Sequence, residues 1–469
     1  MQDARPVQYE ASSFRDPDGR ILYFQDRIFR ELSERGLKKF FTFSNLPIYE
    51  KLIKEHAIVW SKIVDGKEAG LNGEGKILEH EKINFISYCY EWPVSMLRDA
   101  GLHILNLQSE LLSAGYSLKD ATPYNIQFQE GGPIWIDIAS IEPWDEKPAW
   151  IAYSQFCRYF LYPLLINRYA KINLKQILLE LEGISFEEMW KILPLRVKIK
   201  PQLFLDIALP MILGKIIKES ASHQMIKSQK AENFFAKDIQ LKTLERLKKI
   251  ISGLVAPAGS FWSQYEKTKS YSEASAEQKN NFVRECLKEA RSAKIIDIGC
   301  NTGLYSKIAA DALPGSRVVA IDFDANSIDG LYNANLQWKK NILPLALDIT
   351  SPSPALGWRL KERKSFLERA DFDCALALAV VHHLRVVKNI PLLEIADFFV
   401  SLTARHLIVE FVDKNDAMWK RLTAIREDIY DDYSQENFEK TFLRYFLLKK
   451  KSPLQMGTRI LYFFEKNGA

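Results

Sequence analysis

No apolar run in this chain is long enough to cross a bilayer. The most hydrophobic stretch, Phe204–Ile217, is broken by Asp206 and Pro210, whereas a spanning helix needs about 20 consecutive apolar residues. The start, MQDARPVQYE, has no basic segment leading into an apolar one, so no secretory signal is expected. The five cysteines (Cys89, Cys157, Cys286, Cys300, Cys374) lie far apart with no CxxC pair. That spacing argues against a zinc site or a disulfide framework and for a reducing compartment. A cytoplasmic protein with no membrane span is the expectation. Charge of one sign is also scarce, since 64 Lys and Arg against 59 Asp and Glu leave a net charge of +5. Residues 196–250 hold twelve basic against five acidic side chains, a surplus of seven. They lack the interleaved aromatics on which single strands stack, so a solvated helical face is expected there and nucleic acid is not strongly indicated. Repeats and low-complexity tracts are absent as well.

What is present is globular. Apolar residues make up 47% and charged residues 26% of 469, a length that suits two or three domains. Regular structure is clearest from residue 293 onward. Short apolar runs occur at Lys294–Ile298, Arg317–Ile321, Leu343–Leu347, Asp373–Leu378 and His406–Glu410. The first four contain or run into Asp297, Asp322, Asp348 and Asp373, spaced 25, 26 and 25 residues apart. A strand, a turn, a helix and a return loop need about that many residues, so these are βα units of a parallel sheet. Phe442–Leu448 and Arg459–Glu465, separated by the basic loop Lys449–Thr458, read as an antiparallel pair ending that sheet.

Upstream, helical periodicity dominates Trp150–Ile217 and Phe234–Leu254, with the polar Glu219–Glu232 between them as a linker or exposed loop. The first 145 residues mix strands and helices. Pro17-Asp18-Gly19 is a turn, Lys82–Tyr90 reads as a strand and Ser95–Ala114 as a long helix.

The sharpest motif is Asp297-Ile298-Gly299-Cys300-Asn301-Thr302-Gly303, in which a buried strand enters a turn of small residues before a helix. Glycines there let the backbone approach a ligand, with helix N-terminal amides pointing at it. A dinucleotide fingerprint would need glycine at 299, 301 and 304, but Asn301 and Leu304 stand at the last two. The acid two residues before the first glycine suits an amine instead.

This motif resembles the first motif of the class I S-adenosylmethionine-dependent methyltransferases, with Asn301 in place of the middle glycine, and the resemblance covers about residues 260–469. It implies a Rossmann-like α/β fold with a reversed terminal strand. It further implies that Asp297, Gly299, Asn301, Gly303, Asp322, Phe323, Asp348 and Ile349 hold S-adenosylmethionine: Asp297 and the glycines at the methionine part, Asp322 at the ribose hydroxyls and Asp348 at the adenine. No metal is expected in this half. His382 and His383 follow the fourth strand and Glu410 ends the fifth. At most one of the histidines is expected to act as a base, and His383 and Glu410 are the catalytic candidates.

A second constellation lies upstream in L-K-D-A-T-P-Y-N and P-I-W-I-D-I-A-S. Asp120 and Asn125 are five apart, and Asp137 follows twelve later. The layout resembles the large lobe of the kinase-like fold over roughly residues 80–220, with Gln129–Pro133 as the hairpin turn. That resemblance implies a nucleotide or metal site holding ATP and magnesium on Asn125 and Asp137, with Asp120 orienting a hydroxyl. The chain departs from the pattern at Lys119, at Ile138-Ala139-Ser140, and in lacking a glycine-rich loop and a lysine strand. The Gly70, Gly73, Gly75 group is read as an exposed loop. As a whole the chain is similar to bacterial methyltransferases of the nodulation host-specificity type.

The expected organisation is therefore a largely helical kinase-like α+β domain over 1–220, for substrate recognition or nucleotide binding. A linker and helical connector follow over 221–260, and a methyltransferase domain over 261–469. The expected activity is methyl transfer to an O or N nucleophile of unknown class. The alternative is a kinase-like phosphotransferase or ATP-binding protein whose methyltransferase half is regulatory.

Overall fold

In the computed structural model of the protein the described residues are 7–16, 19–71, 75–208, 235–255, 273–424, 429–455 and 457–468. The chain forms two compact units. One comprises Met1–Phe128, Pro133–Ala256 and Leu356–Arg363; the other comprises Gln129–Gly132, Pro257–Ala355 and Lys364–Ala469.

The first unit opens with five short strands, β1 (Gln8–Tyr9), β2 (Gly19–Phe24), β3 (Arg27–Leu32), β4 (Ser61–Asp65) and β5 (Lys76–His80). They form one antiparallel sheet in the order β1-β2-β3-β5-β4. Helix α1 (Glu34–Ser44) follows β3 and starts where Ser33 accepts a hydrogen bond from the Gly36 amide. Helix α2 (Val94–Ser113) is the long helix expected from the periodicity. After it, β6 (Tyr116–Leu118) pairs with β9 (Ile141–Pro143), and between them β7 (Ile126–Gln129) pairs with β8 (Gly132–Trp135). Glu130 and Gly131 both have positive φ, 51° and 84°, which makes the β7–β8 connection the tight two-residue hairpin its sequence suggests.

One expectation changes here. Lys82–Tyr90 is not a strand. The segment is irregular up to a short 3₁₀ turn at Cys89–Glu91, because side chains take its backbone groups. Gln127 accepts from the Ser87 amide at 2.9 Å and donates to the Ser87 carbonyl at 3.1 Å, while Glu91 accepts from the Tyr88 amide. The apolar pattern came from burial of Phe85, Tyr88 and Tyr90 and not from strand pairing. The helical block that starts at Trp150 is helical through most of its described part, to Ala208, and includes two π-helical turns, Cys157–Leu161 and Phe204–Ala208; residues 209–217 lie outside the described residues. The expected connector is an ordered helix, α3 (Ala236–Ser252), packed along α2 through Gln240, which accepts from Gln108 at 3.3 Å, and Lys248, which donates to Ser109. The Glu219–Glu232 linker, Pro17, Asp18 and Gly73 lie outside the described residues.

The second unit is a seven-stranded sheet flanked by helices. Helix α4 (Glu273–Ala290) precedes β10 (Lys294–Ile298). Helix α5 (Leu304–Ala312), β11 (Arg317–Asp322), β12 (Ile342–Ala346) and β13 (Phe372–Ala377) come next. Helix α6 (Val381–Val386), β14 (Thr403–Val412), β15 (Phe446–Pro453) and β16 (Arg459–Lys466) complete the unit. The order is β12-β11-β10-β13-β14-β16-β15, parallel through β14 and antiparallel at β16 and β15. The five predicted βα strands are all present within a few residues. The terminal pair differs in extent: Phe442 closes a helix, and Lys449–Pro453 belongs to β15 and not to a loop. Lys449, Lys450 and Lys451 each find an acidic partner along this edge strand, in Glu465, Glu289 and Glu439.

Candidate functional site

Crossovers between parallel strands bring every β-to-α turn to one end of the sheet, and ligands of such sheets bind there. The second unit assembles its acidic residues at that end. The glycine turn hangs from the end of β11, with Gly299 and Cys300 donating to the Ile321 carbonyl at 2.9 and 3.1 Å. Gly299 and Gly303 have φ of 68° and 86°. A Cβ would meet Val380 at 2.8 Å from the first and Leu331 at 2.3 Å from the second. Both positions therefore exclude a side chain on space as well as backbone conformation. Asn301, where a glycine stands in the motif it resembles, adopts the left-handed conformation at φ 51° that asparagine tolerates well. Its amide donates to Asp322 Oδ2 at 3.0 Å, while Asp322 Oδ1 accepts from the Asp324 amide at 2.9 Å.

Asp297 is buried and accepts from the Ser306 hydroxyl at 2.6 Å. Burial pushes its pKa up to about 6, with Ser306 opposing the shift. Burial also raises Asp322, against the backbone amides of Asp324, Asn301 and Phe323. Asp348 goes the other way. Burial pushes it up, but the Thr350 hydroxyl at 2.7 Å, the Thr350 amide and Lys388 at 3.2 Å outweigh that and hold it low. Phe323 is exposed and Ile349 half-buried beside their aspartates. The buried Oδ1 of Asn301 has no hydrogen-bond partner among the described residues. A turn with an unmet acceptor and three carboxylates at neighbouring strand ends fits a ligand carrying an ammonium and hydroxyls.

Glu410, on β14, is fully buried between two cations: it accepts from Lys279 of α4 at 2.6 Å and from Arg459 of β16 at 3.4 Å. Arg459 also holds Asp416 with two hydrogen bonds, at 2.8 and 3.1 Å. Burial lowers the Lys279 pKa, with Glu410 opposing, and the ammonium lies 4.8 Å from the Tyr305 ring centre. Sequence reasoning missed Lys279, one lysine on a polar helix with no motif around it, and missed Arg459 likewise. His382 and His383 sit in the first turn of α6, rings 4.3 Å apart. Burial lowers both, His383 to about 4. They lie within the helix and do not cap it.

In the first unit Asn125 donates to Asp137 Oδ2 at 3.3 Å, so two of the three upstream residues meet. The other Asp137 oxygen accepts from Arg30 of β3 at 2.6 Å, a contact the sequence did not signal. The Asp137 carbonyl accepts from Trp135 Nε1 and Ser140 Oγ, which fixes the turn after β8. Asp120 is raised, first by burial and then by Asp137. Among the described residues no group of three or more His, Cys, Asp and Glu is placed to hold a metal ion.

The strand order defines the second unit as a Rossmann-like α/β unit. The chain as a whole belongs to the family of the nodulation protein NoeA. It is 34% identical to NoeA of Rhizobium meliloti (strain 1021) over 462 residues, which cover 97% of this chain and 96% of the relative. No family model matches it. Among solved structures it is similar to the N-methyltransferase NodS from Bradyrhizobium japonicum WM9, at 16% identity and TM-score 0.31 over 41% of this chain and 97% of that one. It is similar also to the bifunctional kinase-methyltransferase WbdD, at 16% identity and TM-score 0.29 over 44% and 42% of the two chains. Scores this low leave the fold to rest on the strand order itself. No helix among the described residues is long and apolar enough to cross a membrane.

Proposed function

We propose that the protein is an S-adenosylmethionine-dependent methyltransferase whose cofactor lies on the glycine turn of the second unit and whose acceptor atom is an oxygen or nitrogen. One observation carries this: Asn301 turns left-handed where the motif calls for glycine, and its amide locks onto Asp322. The substitution that departs from the motif thereby keeps the motif's geometry. Asp297 would hold the ammonium of the cofactor, Asp322 the ribose hydroxyls and Asp348 the adenine amino group, with Phe323 and Ile349 flanking the base. When bound, the cofactor supplies an electrophilic methyl group on a positively charged sulfonium. The chain's part is to orient the acceptor and exclude water, for which the buried wall of Glu410, Lys279, His382 and His383 is suited. Glu410, held by two cations, is better suited to fixing that wall than to accepting a proton, which leaves His383 as the proposed base if one is needed. Titration calorimetry with S-adenosylhomocysteine tests the reading: binding that survives Asp322→Ala unweakened in a folded protein would sink it.

A second reading concerns the first unit, as a kinase-like domain holding a nucleotide on Asp120, Asn125 and Asp137. The Asn125–Asp137 contact favours it. Because Arg30 already neutralises Asp137, the reading is of ligand binding more than of phosphate transfer. ATP with magnesium should then raise the melting temperature, by the equivalent of about 2.7 kcal/mol at a hundredfold excess over Kd, and Asp137→Asn should abolish the rise. No rise at millimolar ATP would leave the three residues as turn and cap residues.

A further inference from the structure

His382 is 1% exposed, and neither ring nitrogen has a hydrogen-bond partner among the described residues. A buried polar group left unmet is unfavourable, and such a group in a native fold calls for an explanation. Its position offers one. The chain leaves β13 at Ala377 and turns left-handed at Ala379, φ 56°. Val380 then packs within 2.8 Å of where a Gly299 side chain would be. His382 follows two residues later, at the same end of the sheet as the glycine turn. The charges that act on it are His383, Arg459 and Lys279, and Lys279 in turn acts on Asp297. The histidine thus belongs to the polar wall between the Asp297 turn and the Glu410 ion pairs. Burial and those neighbours keep it uncharged, and a neutral imidazole offers one lone pair and one N–H.

We infer that the free lone pair of His382 receives a hydrogen bond from the atom to be methylated, so that the acceptor enters as a hydroxyl or an amine bearing hydrogen and not as a carboxylate. This rests on the cofactor reading above and deepens it. His382, and not only its neighbour His383, is then the residue that orients the acceptor.

The test needs no knowledge of the acceptor. In the full chain labelled with ¹⁵N-histidine, the His382 ring signal is assigned by its loss in His382→Phe. It is then compared in the presence of S-adenosylmethionine and of S-adenosylhomocysteine, which differ only in the methyl group and its charge. The expected result is a clear difference between the two at His382. None is expected at His406, near the start of β14 at the opposite end of the same sheet. His382→Phe without ligand should melt at or above the wild-type temperature, since it removes unmet polar atoms. If calorimetry shows both cofactors bound and the His382 signal is the same with each, the inference is overturned. It is overturned equally if His382→Phe melts several degrees lower, which would mark a structural histidine. If neither cofactor binds, the underlying reading fails, and the inference with it.

Discussion

The two candidate sites of this chain are built on opposite plans. In the second unit Asp322, the proposed ribose ligand, is positioned by backbone, held by the amides of Asn301 and Asp324. In the first unit Asp137 is held by side chains, one oxygen by the Arg30 guanidinium and the other by the Asn125 amide. A carboxylate fixed by neutral backbone donors keeps its charge available. One fixed by a cation has spent it. The same residue type at the end of a strand thus means different things, and the spacing of aspartates alone could not separate them.

Four changes would break or sharpen this contrast, the largest first. Glu410→Ala leaves Lys279 and Arg459 buried without their shared carboxylate, and such a loss costs roughly 3–5 kcal/mol. Chemical denaturation should show it, and a variant as stable as the wild type would mean that the pairs contribute nothing. Asp322→Ala should weaken S-adenosylhomocysteine at least tenfold, because charge-assisted hydrogen bonds contribute about 1.5–3 kcal/mol each.

The third change is pH. Asp297 titrates near 6 when folded, above its ordinary value, so between about pH 4 and pH 6 the native state binds more protons than the unfolded one. Its contribution to stability therefore falls as pH rises through that window. Cofactor binding has the opposite slope, since an ammonium needs the ionised form. Affinity should drop up to about tenfold per pH unit below 6, and Asp297→Asn should flatten that dependence. The smallest change is Arg30→Met. Removing one member of a partly exposed pair should cost about 1 kcal/mol, while freeing Asp137 should make manganese binding detectable by calorimetry where the wild type shows none.

The fold of the second unit was legible because its strands are short, apolar and punctuated by acids at a constant interval, a pattern few other arrangements produce. Asn301 was legible for the same reason, since asparagine can take a glycine's backbone conformation. The first unit was less legible. Phe85, Tyr88 and Tyr90 look like strand residues because they are aromatic and close-spaced, and only the long-range partner Gln127 reveals that no strand pairs there. Arg30, Lys279 and Arg459 carry no local signal: each acquires its role from a residue 107, 131 or 49 positions away. Ion pairs of that span are a property of topology, and a linear reading recovers them only after the topology is known.

The position of β16 has a consequence for how the protein is made. It follows β15 in sequence but lies inside the sheet, between β14 and β15, and it delivers Arg459 to Glu410 and Asp416. A nascent chain on the ribosome therefore has β10 through β15 exposed before the strand that closes the sheet and neutralises two buried carboxylates has been synthesised. The second unit can complete its folding only once residues up to Lys466 have cleared the exit tunnel. Until then the strand edges of β14 and β15 are open to other chains, and this is the interval in which a chaperone would have most to do.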